Sequence, residues 1–162
     1  MGRLKHEGRV EATSKATPEQ VWAVISDVTR IGDWSHECQS AEWLGGATGA
    51  VPGARFRGGN INGKMSWSRQ NEIVVADAPH VLSWRTVPTR LYADQTQWWI
   101  TIESDGDVTT IVQTFEVLKL GPVMERLFHL LIPAHRDRMD ALRDDMRRLA
   151  SVAETVELEP VT

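Results

Sequence analysis

The sequence predicts an α+β domain in which a curved antiparallel sheet of six or seven strands surrounds one long C-terminal helix, with two short helices after the first strand. Three observations carry this. Short runs of alternating apolar and polar residues recur from about Ser40 to Val117, separated by Gly-Gly, Asn-Gly and Asp-Gly turn signals. A helix-opening signature, Thr17-Pro18-Glu19-Gln20, follows directly on an earlier run of the same kind. An apolar stripe at helical spacing, Met139, Leu142, Met146, Leu149 and Val152, widened by Ala153, lies near the end of the chain.

The first strand is Gly8 to Ala16, where Val10, Ala12 and Ser14 alternate with Arg9, Glu11, Thr13 and Lys15. Thr17 is placed to cap the free amides of the next helix, Pro18 suits its first position, and Gln20 completes a capping box. Val21, Trp22, Ile25 and Val28 mark one face of that helix, and Thr29 to Trp34 forms a second short turn. Gly45-Gly46, Pro52-Gly53, Gly58-Gly59-Asn60 and Asn62-Gly63 punctuate the strands that follow. Met65 to Val75 alternates, Ala76 to Pro79 turns, Val81 to Thr86 is a further strand, and Thr86 to Asp94 is a loop. Gln95 to Glu103 and Thr109 to Val117 flank Asp105-Gly106, the strongest hairpin signal in the chain. Successive hairpins build an antiparallel meander. Gly121-Pro122 then opens a helical region to about Glu154, interrupted by Pro133, which removes a helix hydrogen bond and clashes with the preceding turn. Arg136, Asp137, Arg138, Asp140, Arg143, Asp144, Arg147 and Arg148 read as its solvated face. Residues 1–162 read as one domain with a core of about residues 8–154 and a loose tail, 155–162.

Composition excludes several functions. A net charge of −4 with no basic block leaves no electrostatic footprint for nucleic acid. Cys38 is the sole cysteine, so no internal disulfide forms, which fits a reducing cytoplasm. Met1 to His6 leads into no apolar run, so no signal peptide is expected, and no stretch approaches the roughly 20 apolar residues that span a bilayer. His129 and His135 are six apart with Pro133 between them, there is no Cys-x-x-Cys, and no glycine loop has phosphate-binding spacing. No metal and no cofactor is therefore expected. Ser35 and His36 are neighbours and point apart, so they make no direct nucleophile–base pair.

One helix does not fill the concavity of a twisted sheet this wide, so either a cavity remains or large side chains occupy it. Seven tryptophans, against one tyrosine and three phenylalanines, supply such side chains. Trp98, Ile100 and Ile102 share one strand face, as do Leu82 and Trp84, and Phe56, Gly58 and Asn60. Trp67 shares a face with Arg69, Asn71 and Ile73, a strand whose inward register stays open. Any one ring reads equally well as core filling. Together with Trp34, Phe128 and Met139 they are the candidate wall of a site for a flat hydrophobic ligand such as a sterol, quinone or polycycle. Trp99 faces the other way as a surface or interface residue, which keeps a homodimer open.

His135 stands out chemically. Extending the helix stripe back from Met139 reaches His135, then Leu131 or Ile132, then Phe128, so His135 is the lone ionisable group on an apolar face. It suits a hydrogen bond to a ligand carbonyl or acid–base work, and equally a core histidine bonded to a backbone carbonyl.

The chain resembles the helix-grip proteins, the START-like, polyketide cyclase/dehydrase-like and birch-pollen-allergen-like superfamily (SRPBCC), over roughly residues 8–154. The resemblance rests on Ala16-Thr17-Pro18-Glu19-Gln20-Val21-Trp22, Ile31-Gly32-Asp33-Trp34-Ser35, Pro52-Gly53-Ala54-Arg55-Phe56-Arg57-Gly58 and the helix after Gly121-Pro122. The branch it most resembles reads Trp-Ser-Pro-Glu-Cys where this chain has Trp34-Ser35-His36-Glu37-Cys38. What the resemblance implies is binding or carriage of a hydrophobic small molecule, a lipid, quinone or polyketide-like polycycle, in an internal cavity. The alternative it implies is a polyketide cyclase/dehydratase, for which His135 is the acid–base candidate, aided by His36, Asn60, Asn71 or Arg69 where these face inward. A protein-binding module is a third class, with Trp43, Leu44 or Trp99 as its only apolar hints.

Overall fold

The computed structural model describes residues 4–160. Its strands are β1 (Glu7–Ser14), β2 (Cys38–Leu44), β3 (Arg55–Asn62), β4 (Met65–Asp77), β5 (Val81–Thr86), β6 (Gln95–Asp105) and β7 (Val108–Lys119). They form one curved sheet in the order β1-β7-β6-β5-β4-β3-β2, with every neighbouring pair antiparallel. The meander runs unbroken from β2 to β7, and β1 pairs with the last strand. The helices are α1 (Pro18–Ile25), α2 (Pro122–Leu131) and α3 (Met139–Ala153), with 3-10 turns at Val28–Asp33 and Pro133–His135. This is the expected α+β helix-grip arrangement with seven strands.

Local chemistry sets these boundaries. At the start of α1, the Gln20 amide donates to Thr17 Oγ1 (3.2 Å), and the Thr17 amide donates to Gln20 Oε1 (2.8 Å). Two otherwise orphaned donors are thereby satisfied. Gly106 takes φ +60 in the β6–β7 turn, a conformation a side chain would strain.

Helix α3 lies on β1 and β7 and against α1, burying Leu142, Met146, Leu149, Ala150 and Ala153. Ser14 Oγ donates to the Ala150 carbonyl (2.9 Å) and ties the end of β1 to this helix. Val10, Val21, Val24, Ile100, Ile102 and Ile111 complete the packed core at that side.

The C-terminal region departs from one continuous helix at Pro133. Ile132 leaves helical geometry (φ −126, ψ 78), a 3-10 turn follows, and α3 starts only at Met139. Proline disfavours helical backbone at the residue before it, so the helical rotation does not carry through. Met139, the first residue of α3, lies against β1 and not on the cavity: a Cβ built on Gly8 would lie 2.7 Å from its sulfur and 2.6 Å from Phe115 Cε1. Arg138, expected on the solvated face, instead turns inward. Helix α2 buries none of its residues and leaves Val123 83% and Leu130 63% exposed.

Leu149→Ala should destabilise the protein by about 2–5 kcal/mol, because the collar of packed side chains cannot collapse into the space. Val123→Ala should change stability by less than about 0.5 kcal/mol. Equilibrium urea unfolding of the two variants checks this. A loss below about 1 kcal/mol for Leu149→Ala, or a loss of similar size for Val123→Ala, contradicts the packing described.

Candidate functional site

The concave face opposite α3 keeps the strict alternation of its strands. Phe56, Gly58 and Asn60 of β3 point inward, followed by Trp67, Arg69 and Asn71 of β4 and Trp84 and Thr86 of β5. Thr96 and Trp98 of β6 and Gln113 and Phe115 of β7 continue the wall. The register of β4, which the sequence leaves open, is thus inward for Trp67, Arg69 and Asn71. Trp34 and the loop after it close one side, and Phe128, Ile132 and His135 close the top. The cavity is partly open to the surface and measures about 300 Å³, the lower end of the range of small-molecule sites, roughly 300–1,000 Å³.

Several rings of the wall touch one another. Trp84 and Trp98 stack with ring centroids 6.5 Å apart and planes 14° apart, and Trp98 meets Phe115 at 5.1 Å. The edge of Trp67 meets His135 at 5.9 Å. Of the residues expected to form a ligand wall, Trp34, Phe56, Asn60, Trp67, Trp84, Trp98 and Phe128 all line this space, and Met139 does not. Trp43 packs edge-on against Phe56 (6.0 Å) rather than forming an exposed patch.

The polar side of the cavity is more elaborate than the sequence announces. His135 is not alone there. Its Nε2 donates to Glu37 Oε1 at 2.5 Å, and Asn62 Nδ2 donates to the same oxygen at 3.2 Å. Burial pushes the Glu37 carboxyl up, but the His135 bond, the charges of His135 and Arg138, and the Asn62 bond together hold it below the ordinary 4.5. Glu37 is therefore ionised at neutral pH and accepts the Nε2 proton. Nδ1 is left as the second polar atom of the ring.

His36, next in sequence, is held by α3. Its amide donates to Asp145 Oδ1 (2.9 Å) and its ring Nδ1 to Oδ2 (2.7 Å), and Arg148 Nη2 also donates to Oδ1. Asp145 is 2% exposed, so these three donors compensate a carboxylate withdrawn from water. A proline at position 36, as in the branch this chain resembles, would supply neither of the His36 bonds. Arg148 Nε donates to the Trp34 carbonyl as well (3.0 Å), so one helix face fixes the whole Trp34–Glu37 segment. On the far wall, Arg69 Nη1 bonds both Asp94 oxygens at 2.8 Å under the ring of Tyr92. Burial lifts the Cys38 thiol to about 11, which leaves it a poor nucleophile.

Three polar atoms of cavity-lining residues are shielded from the cavity space and have no partner among the described residues: Trp34 Nε1, Arg69 Nε and Gln113 Oε1. Arg138 also reaches the cavity, its Cζ 5.8 Å from the ring centroids of both Trp98 and Phe115. Sequence reasoning missed Glu37, Arg138 and Asp145. Asp145 alone carried a signal, as a carboxylate adjoining the apolar residue Met146 of the stripe.

Comparison with known proteins agrees with the fold. The chain matches the family described as polyketide cyclase/dehydrase and lipid transport over residues 5–154. Among solved structures it resembles a protein from Thermus thermophilus (TM-score 0.66, 17% identity, 91% of this chain and 97% of that one). It also resembles one from Mesorhizobium loti (0.64, 14%, 94% and 99%). A third is the di-domain ARO/CYC protein StfQ of the steffimycin biosynthetic pathway (0.62, 15%), of which this chain covers 44% while 91% of this chain is matched. No curated protein sequence matches. No helix among the described residues is long and apolar enough to cross a membrane.

A carboxyl depressed by folding adds stability above its unfolded pKa and loses it as pH falls through the folded value. For Glu37 that places the loss on the acid side of 4.5. The stability advantage of the natural protein over Glu37→Gln should therefore be full at about pH 7 and shrink toward about pH 3. Urea unfolding at the two pH values checks it, and a constant or growing difference on acidification contradicts the pairing.

Proposed function

The chain belongs to the polyketide cyclase/dehydrase and lipid transport family, and from that premise we propose that it binds and carries a hydrophobic small molecule in its internal cavity. The observation that supports this most is the cavity of about 300 Å³ walled by Trp34, Trp67, Trp84 and Trp98. Burying apolar ligand area against rings yields about 25 cal/mol per Å², and flat faces favour flat or polycyclic bodies. Helix α2, with no buried residue, is the element across the cavity that moves at least cost. A carrier needs such an element to load and release its ligand.

Phenylnaphthylamine, an apolar fluorescent probe, should bind saturably and quench tryptophan emission. Trp84→Ala should weaken it about tenfold, the scale of one lost aromatic contact plus its buried area. Trp99→Ala, on the outer face, should leave it unchanged. Absence of saturable binding, or equal losses in both variants, overturns the reading.

A second reading, a cyclase/dehydratase-type enzyme, is favoured by one specific observation: a carboxylate-oriented imidazole faces the cavity, Glu37 to His135 at 2.5 Å. A histidine held by a carboxylate is the usual arrangement for general acid–base work, here through Nδ1. In an aldol-type closure that atom would take a proton from the carbon next to a substrate carbonyl, and return a proton to the oxygen that leaves as water. His135→Phe separates the two readings. In an enzyme the substitution abolishes turnover and leaves ligand uptake nearly intact; in a carrier it alters affinity only, by about 1–3 kcal/mol where a buried hydrogen bond to the ligand is lost.

A further inference from the structure

Lys5, Arg69 and Arg138 bring permanent positive charge to the cavity lining, and two of the three are already paired. Lys5 Nζ lies 2.9 Å from Asp137, and Arg69 is chelated by Asp94. Arg138 makes neither an ion pair nor a side-chain hydrogen bond among the described residues. Its nearest acidic influence, Glu37, acts on it through charge alone and already accepts from His135 and Asn62. The rings of Trp98 and Phe115 hold the guanidinium and ease its burial through cation–π attraction, but they accept none of its five N–H bonds. Burial pulls the Arg138 pKa down, with Glu37 opposing, yet a guanidinium does not give up its proton near neutral pH. A charged fork with unused donors, fixed on an aromatic wall inside a cavity, is costly to keep unless an anion completes it.

We propose that the cavity takes an amphipathic ligand whose oxyanion head, a carboxylate or a group of like charge and shape, bonds Arg138 while its apolar body lies along Trp84, Trp98 and Phe115. This rests on the small-molecule reading and narrows it to acids. Neutral hydrocarbons, sterols and quinones of the same size are then the poorer ligands.

The test is a fluorimetric titration of the intact protein with two probes that share a ring skeleton: anilinonaphthalene sulfonate and its uncharged counterpart phenylnaphthylamine. The sulfonate should bind about tenfold tighter or more, the scale of a charge-assisted hydrogen bond. Arg138→Met should bring the two affinities within about threefold of each other, chiefly by weakening the sulfonate. Arg138→Lys should keep part of the preference, and Arg136→Met, which lies outside the cavity, should keep all of it. Equal affinities in the natural protein, or a preference that survives Arg138→Met, overturns the proposal and leaves the cavity reading standing. Failure of both probes to bind the natural protein overturns the cavity reading and the proposal together. Neutral-probe binding reports that a variant's cavity is intact; should Arg138→Met bind neither probe, Arg138→Gln is read by the same criteria.

Discussion

A mismatch of area governs this molecule. Seven strands about 4.8 Å apart make a sheet about 29 Å wide, whereas a helix with its side chains is about 10 Å across. Helix α3 therefore covers roughly a third of the concave face, and it does so over β1 and β7. The inward side chains of β3 to β6 must be shielded by something else. Natural interiors tolerate few voids, because atoms lining an empty space forgo their dispersion contacts. The sequence answers with the largest side chains it has. Trp67, Trp84 and Trp98 line the strands that α3 does not reach, and Trp34 comes in from the side. Even these do not fill the space, and about 300 Å³ remains.

What surrounds that remainder is polar in a directed way. A purely structural void would be lined with aliphatic groups. This one collects a bonded histidine–glutamate pair, a chelated arginine and a second arginine, Arg138, that has no ion pair among the described residues. Each such group costs free energy in a dry interior, on the order of 1–3 kcal/mol for an unmet hydrogen bond. Retaining Arg138 there makes physical sense where a ligand supplies its partner. Asp145 serves a different end. Buried on α3, it binds the amide and ring of His36 and so fixes the backbone that presents Trp34 and Glu37 to the cavity. The stable helix thus positions the site without lining much of it, while α2 stays shallow on the opposite side.

The fold was legible in the sequence because its signals are local. The Thr17–Gln20 capping box, the Asp105-Gly106 hairpin and the period-two faces of β3 to β7 need only a few neighbouring residues to be read. The same periodicity picked out Phe56, Trp84 and Trp98 as inward. Legibility ended where position depends on distant chain. Glu37 meets His135 across 98 residues, and His36 meets Asp145 across 109. No spacing rule reveals such pairs. Arg138 was misplaced because the solvated helix face was read from Arg136 onward, whereas α3 begins only at Met139 and Arg138 is its non-helical cap (φ −104, ψ 7). Met139 keeps its place on the α3 stripe, but that stripe packs on β1 at Gly8 and not on the cavity.

The central claim is that the aromatic space is a ligand site and not a core with a flaw in it. The indole N–H resonances of the seven tryptophans test it directly, since each reports its own surroundings in an NMR spectrum of nitrogen-labelled protein titrated with phenylnaphthylamine. A ligand in the cavity should shift the signals of Trp34, Trp67, Trp84 and Trp98 strongly and leave those of Trp22, Trp43 and Trp99 nearly in place. Shifts confined to Trp22, Trp43 and Trp99, or no saturable shift at any tryptophan, would contradict it.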